Sequence, residues 1–333
     1  MIDFRYHLVS LISVFLALAV GIVLGAGPLR EGISDALTGQ VQELRTDRDK
    51  LRTDLDAAGR EALGRGNLIT AVQPEAVKGV LEGQKIAIVT LPGAGEIEPI
   101  TTALTQAGAA VVSQTEVSEA MVDAETATFR SSFASQLTTY LETEPAADAS
   151  TEEILGQALA SSFALAGSDQ QRATTLTEFL TTNDPAFATI VTPTAEAATA
   201  IVVIGAPHAE VKPEDAETVR ELGRAYTRVA NGMAEVLPTL VVGSAQADTD
   251  LVALLRASAM AETLPAVDSV ASPVAAINAP RALAERLGGG AGQYGIETGA
   301  SAPLAPHTVA PQPTPPAAEP EGAEPSESPT SEE

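Results

Sequence analysis

The chain has no cysteine and no tryptophan, only seven phenylalanines and four tyrosines, and 19 basic side chains against 44 acidic ones. Without thiols there is no disulfide, no CxxC redox pair, no zinc ribbon and no cysteine nucleophile. A net charge of −25 repels a phosphate backbone and removes the basic nucleic-acid binders. The usual catalytic signatures are missing too: there is no GxSxG, no HExxH and no Walker loop. The loss of thiols leaves the compartment open, since exported and cytosolic proteins both dispense with them. What remains is an uneven chain whose segments differ sharply in composition.

Tyr6 to Leu29 reads YHLVSLISVFLALAVGIVLGAGPL, without a formal charge, between Arg5 and the pair Arg30 and Glu31. A bilayer core needs about 20 apolar helical residues, whereas the core of a signal peptide runs about 7 to 15. Leu8 to Leu24 exceeds the second figure, and Pro28 spoils the small-residue cleavage site that Gly25, Ala26 and Gly27 imitate. Residues 1–30 therefore read as an uncleaved, single-pass membrane anchor. Charge hardly orients it, because Arg5 precedes the span while Arg30 and Arg45 follow. With so few residues ahead of the span, the expectation is a cytosolic N-terminus and an extracytoplasmic bulk. Ala17, Gly21 and Gly25 recur every four residues, a small-residue ridge that lets two membrane helices approach and dimerise.

Residues 31–66 carry a different period. Leu37, Val41, Leu44, Arg48, Leu51, Leu55, Ala58 and Ala62 alternate steps of four and three among charged neighbours, which is the seam of a short coiled coil. With Val41 at a, Asp47 falls at g and Arg52 at the next e, a pairing suited to two parallel chains. Arg48 takes an a position, where a polar side chain costs stability and fixes register. The repeat lasts under four heptads and ends in the glycines at 59, 64 and 66. Three arrangements satisfy the seam: a homodimer, a coil with a partner protein's helix, or an amphipathic helix folded back on its own domain.

From about 80 to 298 the pattern becomes α/β. Continuous apolar runs at 85–91, 109–114, 200–205, 239–243 and, more faintly, 266–270 read as strands buried on both faces, hence a Rossmann-like parallel sheet covered by helices. Helices are expected at 97–106, 219–236, 251–259 and 274–287. A helical insertion occupies about 117–198, with stripes at Phe129, Phe133, Leu137 and Leu141 and at Ile154, Leu155, Ala158, Leu159 and Phe163 that serve a core.

Ligands of open α/β sheets bind beyond the carboxyl ends of the strands. That places a candidate cleft at Gly93, Gly95, Gly205, His208, Ser244 and Asp268. Gly93 and Gly95 begin a GxGxxG whose third glycine is Glu98, and Glu96 and Glu98 would repel a phosphate while capping a helix. Asp248 and Asp250 likewise read as helix N-terminal acids. His208 is the only histidine inside the domain, and the sequence offers it no orienting partner, so no catalytic site, resident metal or cofactor is assigned and the protein is not read as an enzyme. Residues 299–333 carry nine prolines from Ser301 onward, six glutamates and no Lys or Arg, a composition expected to be disordered and partly polyproline-like.

The opening FRYHLVSLISVFLALAVGIVLGAGPL, the heptads from Gln40 and the strand KIAIVTLPGA together resemble the actinobacterial MctB family of copper transport or outer-membrane proteins, some of whose members are the SteB-like proteins of cell separation. The resemblance covers most of residues 1–295, and the 15 arginines against 4 lysines fit the same high-GC background. It implies a membrane-bound envelope protein active in copper efflux or homeostasis, and alternatively a scaffold that binds or regulates a peptidoglycan hydrolase. The residues speak less clearly of copper. Copper(I) favours thiolate or thioether and copper(II) imidazole, but His7, His208 and His307 are scattered, as are Met121, Met233 and Met260. Nor do continuous strands separated by helices suit a membrane barrel, which alternates along about ten-residue strands. Copper is expected to be affected only indirectly, the anchor to sit in the inner membrane despite the family's name, and the partners to be a second copy and an envelope or septal protein.

Overall fold

The computed structural model describes residues 4–26, 29–193 and 196–313, without the side chains of residues 26 and 29–36. It divides between Arg65 and Gly66 into two units, which are taken separately.

The first unit is helical. Helix α1 (Phe4–Ala26) is uniformly apolar, and Phe4–Gly25 is long enough to cross a membrane. Gly27 and Pro28 lie outside the described residues. Helix α2 (Leu29–Val77) passes through Gly59, Gly64 and Gly66, where the heptad repeat ends, without a break. A glycine inside a helix costs about 1 kcal/mol relative to alanine but breaks no hydrogen bond, so three of them weaken the helix without ending it. The chain leaves the helix only beyond Val77, where Gly79 adopts φ +73°.

The second unit begins with the last turns of α2, whose Gln73 and Val77 are buried in the domain core. Its seven strands are β1 (Lys85–Thr90), β2 (Ala110–Val117), β3 (Ala188–Thr192), β4 (Ala200–Ile204), β5 (Thr239–Val242), β6 (Ala266–Val267) and β7 (Gln293–Tyr294). They lie in the order β3-β2-β1-β4-β5-β6-β7. All neighbours are parallel except β3, which pairs antiparallel with β2 at the edge. Setting β3 aside, β2-β1-β4-β5-β6 follow the 2-1-3-4-5 order of doubly wound folds, with β7 added at the far edge and the connections diverging on either side of β1 and β4. The faint run at 266–270 is a strand only over its first two residues, because Asp268 and Ser269 turn into the edge described below.

The inner strands alternate between two cores with a period of two. Ile86 and Ile88, Val202 and Ile204, and Leu240 and Val242 face one core with α3 (Glu98–Gln106), α9 (Pro273–Leu287) and the end of α2. Ala87 and Val89, Ile201 and Val203, and Val241 face the other, beneath α5 (Thr151–Ala164), α7 (Ala216–Ala234) and α8 (Leu251–Arg256). Around these stand α4 (Ala127–Leu137) and α6 (Gln170–Thr181) of the insertion. The insertion packs Phe129, Phe133, Phe179, Phe187 and Tyr140 ring against ring, with centroids 5.3 to 5.6 Å apart.

Helices α5 and α7 meet backbone to backbone. A Cβ on Gly156 would stand 2.1 Å from the Val229 carbonyl oxygen, and one on Gly232 would stand 2.0 Å from that of Glu153. Ser150 and Glu153 close a capping box at the start of α5, and Asn231 of α7 donates to Glu153 at 2.9 Å.

The proline-rich segment does not leave the domain at 299. Asn278, fully buried on α9, donates to the Pro303 carbonyl at 3.0 Å and accepts from the Ala305 amide at 2.8 Å. Arg281 Nε donates to the Ala305 carbonyl, Ala310 N to Val80 O, and Gln84 Nε2 to Pro311 O. Composition had marked all of 299–333 as tail, but 301–313 is held by backbone hydrogen bonds, which need no apolar side chain. Residues 314–333 lie outside the described residues.

Two stability measurements test these contacts. Gly232→Ala should push α5 and α7 apart and cost about 2 to 3 kcal/mol, the range of an overpacked core, read as a lowered midpoint of thermal or urea unfolding. Asn278→Ala should cost about 1 to 3 kcal/mol by stranding the Ala305 amide and Pro303 carbonyl and should open 301–313 to hydrogen exchange and proteolysis.

Candidate functional site

Two surfaces hold the residues singled out from sequence. On the first unit, Ala17, Gly21 and Gly25 lie along α1, and an added Cβ at Gly21 or Gly25 would meet nothing within 4 Å. The seam residues all lie on α2, where Leu37, Val41, Leu44, Leu51 and Leu55 are between 41 and 71% exposed. Arg48, at its a position, turns onto the neighbouring Asp49 at 2.6 Å. The apolar row is thus uncovered in the single chain.

On the second unit the carboxyl edge of the sheet gathers the other six. The loop after β1 turns at Gly93, φ +77°, and Gly95 runs beside Pro207 of the loop after β4. Gly205 is structural, since a Cβ there would collide with Leu251 Cδ2 at 2.6 Å. His208 Nδ1 lies 3.1 Å from both carboxylate oxygens of Asp250, which fixes that nitrogen on the acid and leaves Nε2 as the other ring atom. The partner that sequence could not supply is therefore Asp250. Asp250 stands at the N-cap of α8, at the helix N-terminus as its sequence position suggests, but makes no side-chain cap bond; its carboxylate accepts from Ala247 N and Ser244 Oγ and faces His208. Asp248 pairs with Arg220 at 3.0 Å.

Ser244, at the end of β5, stands between two acids. Its Oγ is 3.0 Å from Asp250 Oδ2 and 3.1 Å from Glu297 Oε2. One hydroxyl hydrogen serves only one of them, so acceptors outnumber donors at this point. Ser244 faces carboxylates and not the imidazole, so Ser244, His208 and Asp250 do not form a nucleophile–base–acid relay. Glu297 was missed from sequence: it follows a two-residue strand and belongs to no motif. Its carboxylate also accepts from Ala245 N at 2.5 Å and Gln246 Nε2 at 3.3 Å.

Asp268 brings Glu297 there. Fully buried at the end of β6, its carboxylate accepts from Ile296 N at 2.9 Å, Glu297 N at 3.1 Å and Ser269 Oγ at 2.7 Å, and pairs with Arg256 at 3.0 Å. Arg256 in turn donates to Tyr294 O and Thr298 O. Gly295, at φ +134°, makes the loop possible, for a Cβ there would sit 1.9 Å from Asp268 Oδ1. Asp268 thus organises the cleft from beneath and does not face it. The next residue, Ser269, holds φ +61°, a left-handed conformation unusual for a side-chain-bearing residue and costing about 1 to 3 kcal/mol.

Two adjoining cavities open at this edge. One of about 430 Å³ is lined by His208, Ser244, Gln246, Ser269 and Glu297. The other, about 670 Å³, runs between the loop after β1, α3 and the start of α9, and the two share Pro207, Val270, Ala271 and Ser272. Among the described residues no group of three or more His, Cys, Asp or Glu is arranged to hold a metal ion. Tyr226, whose hydroxyl is buried without a partner, is pushed well above the usual phenol range by burial and by Glu119 and Asp123, which keeps it neutral.

This architecture is that of an α/β domain behind a membrane-type helix. The family model described as "Copper transport outer membrane protein, MctB" matches residues 1–305, and the chain belongs to that family. A protein of Mycobacterium leprae named copper transporter MctB is 30% identical over 92% of this chain and the whole of its own length. Proteins of the same name in Mycobacterium tuberculosis and Mycobacterium bovis are 33% identical over 129 residues, which is 38% of this chain and about two-fifths of theirs (41%). Family and apolar helix together support a membrane location.

The organising role of Asp268 is testable. Asp268→Ala removes one partner of a buried ion pair and should cost about 3 to 5 kcal/mol, whereas His208→Gln, at a side chain 27% exposed, should shift the unfolding midpoint little. Equal losses in the two variants would refute the assignment.

Proposed function

We propose that this protein is an inner-membrane-anchored envelope protein whose bulk lies outside the cytosol, and that it works by self-association and partner binding through the α2 seam, without catalysis. The observation that supports this reading is the exposed row Leu37, Val41, Leu44, Leu51 and Leu55 on a helix of 49 residues. A stripe of this spacing suits burial against another helix, read through its a and d anchors. The relatives named copper transporters support a part in copper handling. The donor set supports an indirect part in it, because cysteine is absent and the histidines are scattered. The small-residue ridge of α1 favours the same dimer. A cell-separation scaffold is the second reading, in which the partner helix on the seam belongs to a wall hydrolase; the closeness of the seam to the membrane span in the chain favours it.

Sedimentation of the full chain in density-matched micelles tests the seam. Leu44→Asp and Leu51→Asp should each convert an associated species to monomer, with thermal unfolding of the 66–313 domain unchanged. Retained association in both variants overturns the seam, whereas a wild-type monomer that acquires a cross-linked partner from a photoreactive residue at position 48 identifies the heteromeric coil.

A further inference from the structure

We propose that the paired cavities at the carboxyl edge of the sheet form a binding site for a small, non-anionic amphiphile whose polar head donates hydrogen bonds, an amine or an alcohol, and whose body is apolar. The inference is independent of the seam, which belongs to the other unit of the chain.

Position comes first. In a doubly wound sheet the connections on either side of β1 and β4 diverge to opposite faces and leave a crevice beyond the strand ends. Both cavities lie there, and each falls within the 300 to 1,000 Å³ or so of ordinary small-ligand sites.

The lining then selects the chemistry. None of the residues lining either cavity is Lys or Arg, and the formal charges present are those of Glu96, Glu98 and Glu297. A phosphate or carboxylate would have nothing to pair with and three acids to meet. None of the lining residues is Phe or Tyr, so a nucleobase would have no ring to stack on.

The smaller chamber is rich in acceptors. Ser244 has one hydrogen for two carboxylates, and Glu297 Oε1 holds only the 3.3 Å contact from Gln246. An incoming O–H or N–H donor supplies what this chamber lacks. The larger chamber is walled by Pro99, Pro207, Val270, Ala271, Pro273 and Ala276, which suit a short aliphatic body. Ser269 stands at the junction, and backbone strain of this kind persists where surrounding structure holds it in place.

The test uses three probes that differ only in the head: hexylamine, 1-hexanol and hexanoate. They are titrated at pH 7 into the full chain in lipid nanodiscs, with histidine labelled by nitrogen-15. Only His7, His208 and His307 contribute resonances, and His208→Gln assigns the one of interest. The expected result is a saturable shift of the His208 signal with hexylamine, hexanol or both, and binding of hexanoate at least tenfold weaker. Saturation by the amine alone identifies an ammonium head, and saturation by both identifies a hydroxyl-type donor. Glu297→Gln should weaken the amine at least fivefold. Thr102→Trp, an exposed substitution at the mouth of the larger chamber, should weaken all binding probes with unfolding unchanged. Hexanoate binding as well as the other two, no saturable shift with any probe, or parallel shifts of His7 and His307 from partition into lipid would each overturn the proposal.

Discussion

The inner strands of the sheet have no polar face, and this constraint places nearly everything else in the domain. Ile86, Ile88, Val202, Ile204, Leu240 and Val242 need cover on one side, and Ala87, Val89, Ile201, Val203 and Val241 need it on the other. Helices supply that cover, so both faces are closed to ligands and to water. Polar chemistry is left only the ends of the strands, where backbone donors and acceptors come free of the ladder. At the carboxyl end those groups are gathered by Asp268, whose carboxylate ties the β7 loop, Arg256 and Ser269 into one unit. A fully buried charge is tolerable because every lone-pair direction has a donor.

The family's name and the residues give different emphasis, and chemistry reconciles them. The site that the fold builds is furnished with carboxylates, a hydroxyl, an amide and one imidazole, which are hard or borderline donors. Copper(I) selects sulfur, and this chain has only four methionines and no cysteine to offer. On the function proposed above, the protein influences copper without ligating it. That is the reading to which the uncovered seam lends weight.

Much of the fold was legible because it is written in local pattern. Runs such as IAIVT and AIVVI are apolar at every position, and helix α7 repeats its apolar positions in steps of three and four, so their types follow from period alone. β3 was not legible. ATIVT is short, half exposed and lies at an edge, where its pairing with β2 is a long-range event. The same limit governs the cleft. His208, Ser244 and Asp268 could be placed from the rule that loops after parallel strands carry ligands. Glu297 and the role of Asp250 depend on which loops meet, and no spacing encodes that. The segment 301–313 was misjudged for a related reason: it is held through its backbone by Asn278, Arg281 and Gln84, and composition is blind to backbone hydrogen bonds.

The two units also differ in how they are stabilised. On helix α2 the side chains of Leu37, Leu44, Leu51, Leu55 and Leu63 stand exposed. Long helices in water draw their stability chiefly from an apolar face that is covered, and the glycines at 59 and 64 subtract from what propensity alone supplies. Exposed i,i+4 pairs such as Glu61 with Arg65 return only a few tenths of a kcal/mol each. Propensity and surface pairs therefore supply this helix with little of what a covered apolar face would give. The heptad spacing fits another helix, the partner proposed for this segment above. The α/β domain, by contrast, has two closed cores of its own.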